Sequence, residues 1–357
     1  MFQRSSADFA GLPRALRPAD VLILREPWAE QPPPAACGAA SNALVRPGPR
    51  HTAPSVRSDG CLLTGWSAQT YQAALAVVLA KEQRGLAGIV GQSFGALPAA
   101  AARAVAPDAW LVLNAPIAPG DQPGRSVLAD RITSLETALA GSYQRACSTI
   151  GADCGLSAVS VLSSAVGRTP EVVVPGRSQA LTAFDFNMAV VAAAYDLAGN
   201  EDWLWRTLHR LPDIGEADYV QIGRLADQIL QRSGSGEVSV RLLAYAHGLC
   251  ASYRGWDLEE KQARPGGVGD WFLRLGALCS ASSPGHGAWA PPEPSKGRVC
   301  ILANDGDSVT SASWGMAWKR LFPHAHVAHY RFAGHTGLDR ALNLGTEVNT
   351  CLLQTVS

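Results

Sequence analysis

The sequence has no long uninterrupted run of apolar residues, and charged residues make up only 17% of its 357 residues. A helix needs about 20 consecutive apolar residues to cross a bilayer, so the sequence predicts no membrane span. The formal net charge is zero, and no basic stripe typical of nucleic-acid-binding proteins is visible. We therefore expect no nucleic-acid partner and no membrane span.

The eight cysteines include no Cys-x-x-Cys pair, which argues against zinc-ribbon and thioredoxin-like folds. Cys147 and Cys154 are close enough in sequence to form a disulfide. An even number of cysteines is weak evidence of an oxidising compartment in a chain of this size, and reduced cysteines explain it equally well. The segment 1–20 contains charged residues and no apolar stretch, so no signal peptide is predicted in it.

Strand-like and helix-like patterns alternate at both ends of the chain. Five short apolar runs have the composition of buried strands, namely 21–24, 86–90, 110–113, 298–303 and 326–332. Four stretches have a helical pattern, namely 70–83, 96–105, 312–321 and 337–353. Strand–helix alternation of this kind predicts an α/β fold with a mostly parallel sheet flanked by helices.

The middle of the chain has a different texture. It is mostly helical in pattern and rich in tryptophan, and a proline-rich stretch ends it. We interpret it as a helical cap inserted into an α/β core, with core segments 1–119 and 295–357 on either side of a cap at 120–294. The tryptophans are expected mainly between packed helices, with a substrate-facing role for one or two of them as the alternative.

The residues GQSFG at 91–95 follow an apolar run and precede an alanine-rich helical stretch. This is the layout of a nucleophile elbow, the tight strand–turn–helix corner that presents a serine. Side chains at Gly91 and Gly95 would collide in so tight a turn. The pattern predicts Ser93 as a nucleophile and the backbone N–H of Phe94 as an oxyanion donor. The motif alone arises by chance in many proteins, so its partners matter.

A serine nucleophile needs a base, and the base needs a carboxylate to orient it. In elbow-type hydrolases the chain order is Ser, acid, His, and each follows a strand. Asp307 follows the predicted strand at 298–303, and His335 follows the one at 326–332. We predict that these two residues serve Ser93 as acid and base. Asp305 as the acid and a structural, helix-capping Asp307 remain open as alternatives.

Three histidines, His324, His326 and His329, form an H-x-H-x-x-H cluster that is a candidate metal site. On a strand, His324 and His326 share a face while His329 points to the other. Three-ligand geometry would be poor, so no metal site is predicted here.

With these residues placed, the sequence resembles the α/β-hydrolase superfamily, and within it the tripeptidyl and prolyl aminopeptidase-like serine peptidases. The elbow is close to the group's G-Q-S-F/Y-G, and LNAP follows the next strand. The acid segment looks like G-x-x-D-x-x-T, and the histidine segment looks like A-G-H. These matches lie at 91–95, 113–116, 304–310 and 333–335. The resemblance covers most of the chain from about residue 20 and is weakest in the cap.

The resemblance implies an α/β-hydrolase fold with a helical cap and a triad of Ser93, Asp307 and His335. It implies an exopeptidase without a cofactor that releases residues from the amino end of short peptides through an acyl-enzyme. It also favours a periplasmic or secreted protein. An esterase or amidase acting on small acyl substrates, or a truncated, non-catalytic hydrolase-fold binding protein, is the alternative. The expected substrate is thus a short peptide or, for an esterase or amidase, a small acyl compound.

The sequence departs from the family pattern at its beginning. The His-Gly-Gly-Pro-Gly motif, which supplies part of the oxyanion hole, is missing, and REPW at 25–28 replaces an arginine–glycine turn. We therefore expect the first strands of the sheet to be missing. Either the chain is truncated, or the strands at 21–24 and 86–90 pair directly.

Aminopeptidases of this group hold the substrate amine with cap carboxylates, one of which commonly follows a cysteine. No acid directly follows Cys250 here. Asp257, Glu259 and Glu260 lie close by and are the candidate amine ligands, with a solvated acidic helix start as the alternative. The sequence does not predict an oligomeric state.

Overall fold

The computed structural model describes ten parts of the chain, namely residues 2–5, 21–24, 67–82, 86–169, 171–232, 238–256, 268–281, 289, 298–335 and 350–351. Six strands lie in these parts, namely β1 (Phe2–Ser5), β2 (Val21–Leu24), β3 (Gly88–Gln92), β4 (Trp110–Asn114), β5 (Val299–Asn304) and β6 (His326–Tyr330). The last four form one sheet in the order β3-β4-β5-β6, and every neighbouring pair in it is parallel.

Helices connect and cover the strands of this sheet. Those in the described parts of the chain are α1 (Ala68–Glu82), α2 (Ala96–Ala102), α3 (Gly124–Ala146), α4 (Ala158–Gly167), α5 (Ala183–Tyr195), α6 (Leu197–Arg210), α7 (Glu216–Leu230), α8 (Val240–Ser252), α9 (Asp270–Ala281) and α10 (Ser313–Leu321). None of them is both long and apolar enough to cross a membrane.

The central strands read as uninterrupted apolar runs because helices cover both faces of the sheet. β5 is buried along its whole length, and β4 is buried from its second residue onward. Parallel neighbours need crossover connections. α2 crosses from β3 to β4, and α10 crosses from β5 to β6. The predicted α/β architecture, a mostly parallel sheet flanked by helices, is confirmed, and it is consistent with an α/β-hydrolase fold.

One strand differs from its prediction. The apolar run at 21–24 was expected as a parallel strand, but β2 pairs antiparallel with β1, with Val21 opposite Ser5 and Leu24 opposite Phe2. A short apolar run encodes burial and not the direction of its partner, so this prediction was wrong. Within the described residues β2 pairs with β1, and the direct pairing of β2 with β3 that the missing strands could have required is not found.

The helices α3 to α9 lie between β4 and β5 in chain order, as the predicted helical segment requires. Their apolar faces join one core that also includes residues of the sheet. Trp205 is fully buried there and donates a hydrogen bond to Ser142, which agrees with the helix–helix interpretation for this residue. The division into a core at 1–119 and 295–357 and a cap at 120–294 stays a prediction.

Disulfides link parts of this architecture. Cys147 and Cys154 are bonded at the end of α3, as their spacing allowed. A second disulfide joins α8 to α9, and a third joins β5 to the C-terminal part of the chain. The second and third pairs are Cys250–Cys279 and Cys300–Cys351.

Candidate active site

Ser93 lies where β3 ends, in a 3-10 turn that leads into α2. Its φ of 51° places it in the left-handed region, which is costly for a residue other than glycine and is common at catalytic sites. A Cβ on Gly91 would lie 2.5 Å from the Cβ of Ala99 and 2.7 Å from the carbonyl oxygen of Gly95. The close approach of strand and helix therefore explains Gly91.

The same explanation was expected for Gly95, and there it was wrong. A Cβ on Gly95 would have no described atom within 4 Å, and its φ of −65° suits any residue. By this position the chain has already entered the helical conformation, so a side chain would point away from the turn.

The elbow is held against the loop that follows β4. The carbonyl oxygen of Ser93 accepts a hydrogen bond from the backbone N–H of Ile117, with an N···O distance of 3.0 Å. Phe94, next to Ser93, is buried, and its ring lies edge-on to the ring of Tyr245, with centroids 5.8 Å apart. One side of the candidate site is thus formed by α8 of the helical segment.

Asp307 lies in the turn after β5, and its side chain is fully buried. Its Oδ1 accepts hydrogen bonds from the backbone N–H groups of Val309 and Thr310, at 2.7 and 2.8 Å. Its Oδ2 lies 2.9 Å from Nδ1 of His335. The carboxylate is therefore held from one side by the backbone and faces the imidazole on the other.

His335 lies beyond β6, and its side chain is 9% exposed. Its backbone N–H donates to the carbonyl of Tyr195 at the end of α5, at 2.8 Å. The ring of Tyr195 lies edge-on to the imidazole, with centroids 5.6 Å apart. The corner between α5 and α6 therefore positions the histidine.

Sequence reasoning named Asn304 only as part of a motif, but the structure gives it a positioning role. Its buried side chain accepts hydrogen bonds from the N–H groups of Gly306 and Phe332, at 3.0 and 2.9 Å. It also donates to the carbonyl of Gly334, at 2.9 Å. Asn304 thus ties the loop of Asp307 to the loop of His335, and an amide at the end of an apolar run is the sequence signal for it.

The structure distinguishes the two candidate acids. Asp305 pairs with His329 at 2.9 Å, and both side chains are about half exposed, at 48% and 47%. Asp307, and not Asp305, is the hydrogen-bond partner of the His335 imidazole. His329 belongs to the H-x-H-x-x-H cluster, and no group of potential metal ligands is found among the described residues.

The structure brings Asp307 and His335 into contact. Among the described residues, the imidazole makes no hydrogen bond to Ser93. All three residues follow parallel strands of one sheet, whose carboxyl ends meet at one edge. β4 lies between β3 and β5, so these two strands are roughly 10 Å apart.

The predicted amine ligands Asp257, Glu259 and Glu260 lie outside the described residues.

Sequence reasoning missed a buried arginine near this site. Arg131, on α3, is 4% exposed. It donates a hydrogen bond from Nη1 to the hydroxyl of Tyr245, at 2.7 Å. Burial raises the pKa of Tyr195 to about 12, while the charge of Arg131 acts to lower it. Arginine within an amphipathic helix is normally read as a surface residue, so no sequence signal marked it.

Replacing Gly334 by alanine is expected to displace His335. Gly334 has a φ of +122°, and a Cβ there would lie 2.8 Å from the carbonyl oxygen of Tyr195. We expect the free energy of unfolding to fall by about 1–3 kcal/mol and kcat to fall by about 10²-fold. Gly167→Ala is the control, because no described atom lies within 4 Å of its added Cβ. Equal effects of the two variants on kcat would contradict the assignment of His335 to the active site.

Comparisons with known proteins identify no family. No protein-family model matches the chain, and no curated protein matches it. A search of solved structures finds a putative non-heme bromoperoxidase, BpoC, from Mycobacterium tuberculosis H37Rv. The alignment covers 83% of this chain and 77% of that one, with 17% identity and a TM-score of 0.31. A similarity this low says nothing about activity. A functional interpretation therefore rests on the sheet, the turn at Ser93 and the contact between Asp307 and His335.

Proposed function

We propose that this protein is a serine hydrolase that works through an acyl-enzyme, with Ser93 as nucleophile, His335 as base and Asp307 as the acid that orients it. The observation that carries the proposal is the 2.9 Å contact between Asp307 and Nδ1 of His335. This contact places a proton on Nδ1 and leaves Nε2 as the basic nitrogen. The left-handed conformation of Ser93 at the end of β3 supports its role.

In the proposed reaction, Nε2 of His335 takes the proton of Ser93 as the Oγ attacks a substrate carbonyl. The tetrahedral intermediate carries a negative oxygen, to which the backbone N–H of Phe94 donates a hydrogen bond. The imidazolium then protonates the leaving group, and the acyl group stays on Ser93. A water molecule, deprotonated by the same imidazole, releases the acyl group and restores the serine. Asp307 stabilises the imidazolium throughout.

The finer proposal is that the substrates are short peptides cleaved from the amino end. Its support is the resemblance of the elbow, acid and histidine segments to the aminopeptidase-like group. The helices between β4 and β5 also support the peptide proposal, because α5 and α8 contact the two sides of the candidate site. Such a segment can keep long chains out of the site and admit short ones, which favours exopeptidase activity.

A fluorophosphonate, which reacts only with activated serines, tests the chemistry. We expect it to label the folded wild-type chain and to leave Ser93→Ala unlabelled. Turnover of aminoacyl arylamides against short acyl esters then tests the substrate class, and we expect both to be cleaved. Ester-only activity would contradict the peptidase proposal and favour an esterase. Failure to label a folded wild-type protein would contradict the hydrolase proposal and favour a ligand-binding protein.

A further inference from the structure

Arg131 is a buried cation without an acidic partner among the described residues. Two other buried arginines of the helical segment are paired with carboxylates: Arg232 with Asp185 at 2.6 Å, and Arg177 with Asp227 at 2.7 Å. Arg131 instead contacts a tyrosine hydroxyl and the face of an aromatic ring. Its Nε is buried and has no hydrogen-bond partner within the described part of the chain.

The guanidinium is linked through its neighbours to both sides of the candidate site. Its partner Tyr245 packs against Phe94, the residue after the nucleophile. Its charge also acts on Tyr195, whose ring contacts the imidazole of His335. Arg131 is therefore linked through one tyrosine to the nucleophile side and through another to the base side.

Burying a guanidinium without an anion is unfavourable. Removing a cation from water carries a large desolvation penalty, and a neutral hydroxyl replaces only part of its hydration. The ring of Phe272, whose centroid lies 5.0 Å from the guanidinium carbon, adds a cation–π contact, but no carboxylate among the described residues compensates the charge. An anionic group that enters the site would supply the missing partner, and a planar carboxylate matches the fork of guanidinium N–H groups.

We propose that Arg131, together with the hydroxyl of Tyr245, forms a subsite for a carboxylate of the substrate. The inference deepens the proposed function and rests on it: the hydrolysed compound is a small acyl compound or peptide that carries a carboxylate near the scissile bond. The same positive charge repels an ammonium group, so the amine of a peptide substrate would have to lie away from Arg131.

Binding is measured in the Ser93→Ala chain, so that no turnover interferes. Glutarate and its neutral analogue glutaramide are titrated by calorimetry and by thermal shift. We expect glutarate to bind about 10- to 100-fold more tightly, as for hydrogen bonds to a charged group. Adding Arg131→Gln should remove this preference. Arg145→Gln is the control, because Arg145 is half exposed and paired with Glu201, and it should leave the preference unchanged.

Arg131→Lys is the second variant, because it keeps the charge and loses the planar fork. We expect it to retain a weaker preference for glutarate, even if the glutamine variant does not fold. Equal binding of the two ligands to the Ser93→Ala chain would overturn the proposal. So would an undiminished glutarate preference in a folded Arg131→Gln chain.

The position of the carboxylate is tested in the chain that retains Ser93. One pair of esters, glutaryl and butyryl 4-nitrophenyl esters, differs in charge on the acyl side. Another pair, 4-carboxyphenyl and phenyl acetate, differs on the leaving-group side. We expect one pair to show a charge preference of at least about 10-fold that Arg131→Gln removes. Tight glutarate binding without any ester turnover would contradict the hydrolase proposal alone, and turnover without any charge preference would contradict the carboxylate subsite alone.

Discussion

Replacing Ser93 by alanine is expected to lower kcat by about 10⁶-fold, as the loss of a triad nucleophile does in serine hydrolases. Alanine removes the Oγ that would form the proposed acyl-enzyme, and neither His335 nor Asp307 can take over that bond. The thermal midpoint should change little. Ser93 already has a left-handed backbone, and alanine meets the same steric cost there. The measurement is single-turnover kinetics on the best substrate, with a melting curve for each chain.

Ser157→Ala is the matched control for this prediction. The side chain of Ser157 caps α4 by accepting from the N–H of Ser160. Its loss should cost about 1 kcal/mol of stability and leave kcat unchanged. More than about 1% residual activity in a purified Ser93→Ala chain, a level far above the expectation, would assign the chemistry to another residue.

Asp307→Asn is expected to lower kcat by about 10⁴-fold while leaving the fold intact. The two backbone N–H groups of Val309 and Thr310 require an acceptor at the Oδ1 position. They therefore orient the asparagine with its NH₂ group towards His335. Facing a donor, Nδ1 must be the acceptor, so the proton moves to Nε2. An imidazole in that tautomer cannot remove the proton of Ser93.

Asp305→Asn is the control, because it makes the same chemical change two residues away. It weakens only an exposed pair with His329, and such pairs contribute little to stability. We expect kcat within about 3-fold of the original value, because an exposed ion pair that takes no part in the reaction contributes little. If Asp305→Asn proves the more damaging of the two, Asp305 is the acid, and the contact of Asp307 with His335 is structural.

Most of the sheet and the order of the candidate triad could be predicted because their signals are local. β4 and β5 are uninterrupted apolar runs, as burial on both faces requires. The turn that holds Ser93 needs a glycine at one defined place, and Gly91 supplies it. Even here, local signals have limits: the run at 21–24 revealed a strand but not its antiparallel partner.

The sequence by itself determined the α/β architecture and nominated Ser93, Asp307 and His335, because neighbouring residues along the chain indicate both buried strands and tight turns. Only the tertiary structure showed that Asp307, and not Asp305, contacts the imidazole of His335, since a tight turn points one side chain inward and the other outward. It alone placed near the site a buried Arg131 that has no carboxylate partner among the described residues. These features depend on contacts between residues far apart in sequence, and packing, rather than any local pattern, sets their geometry.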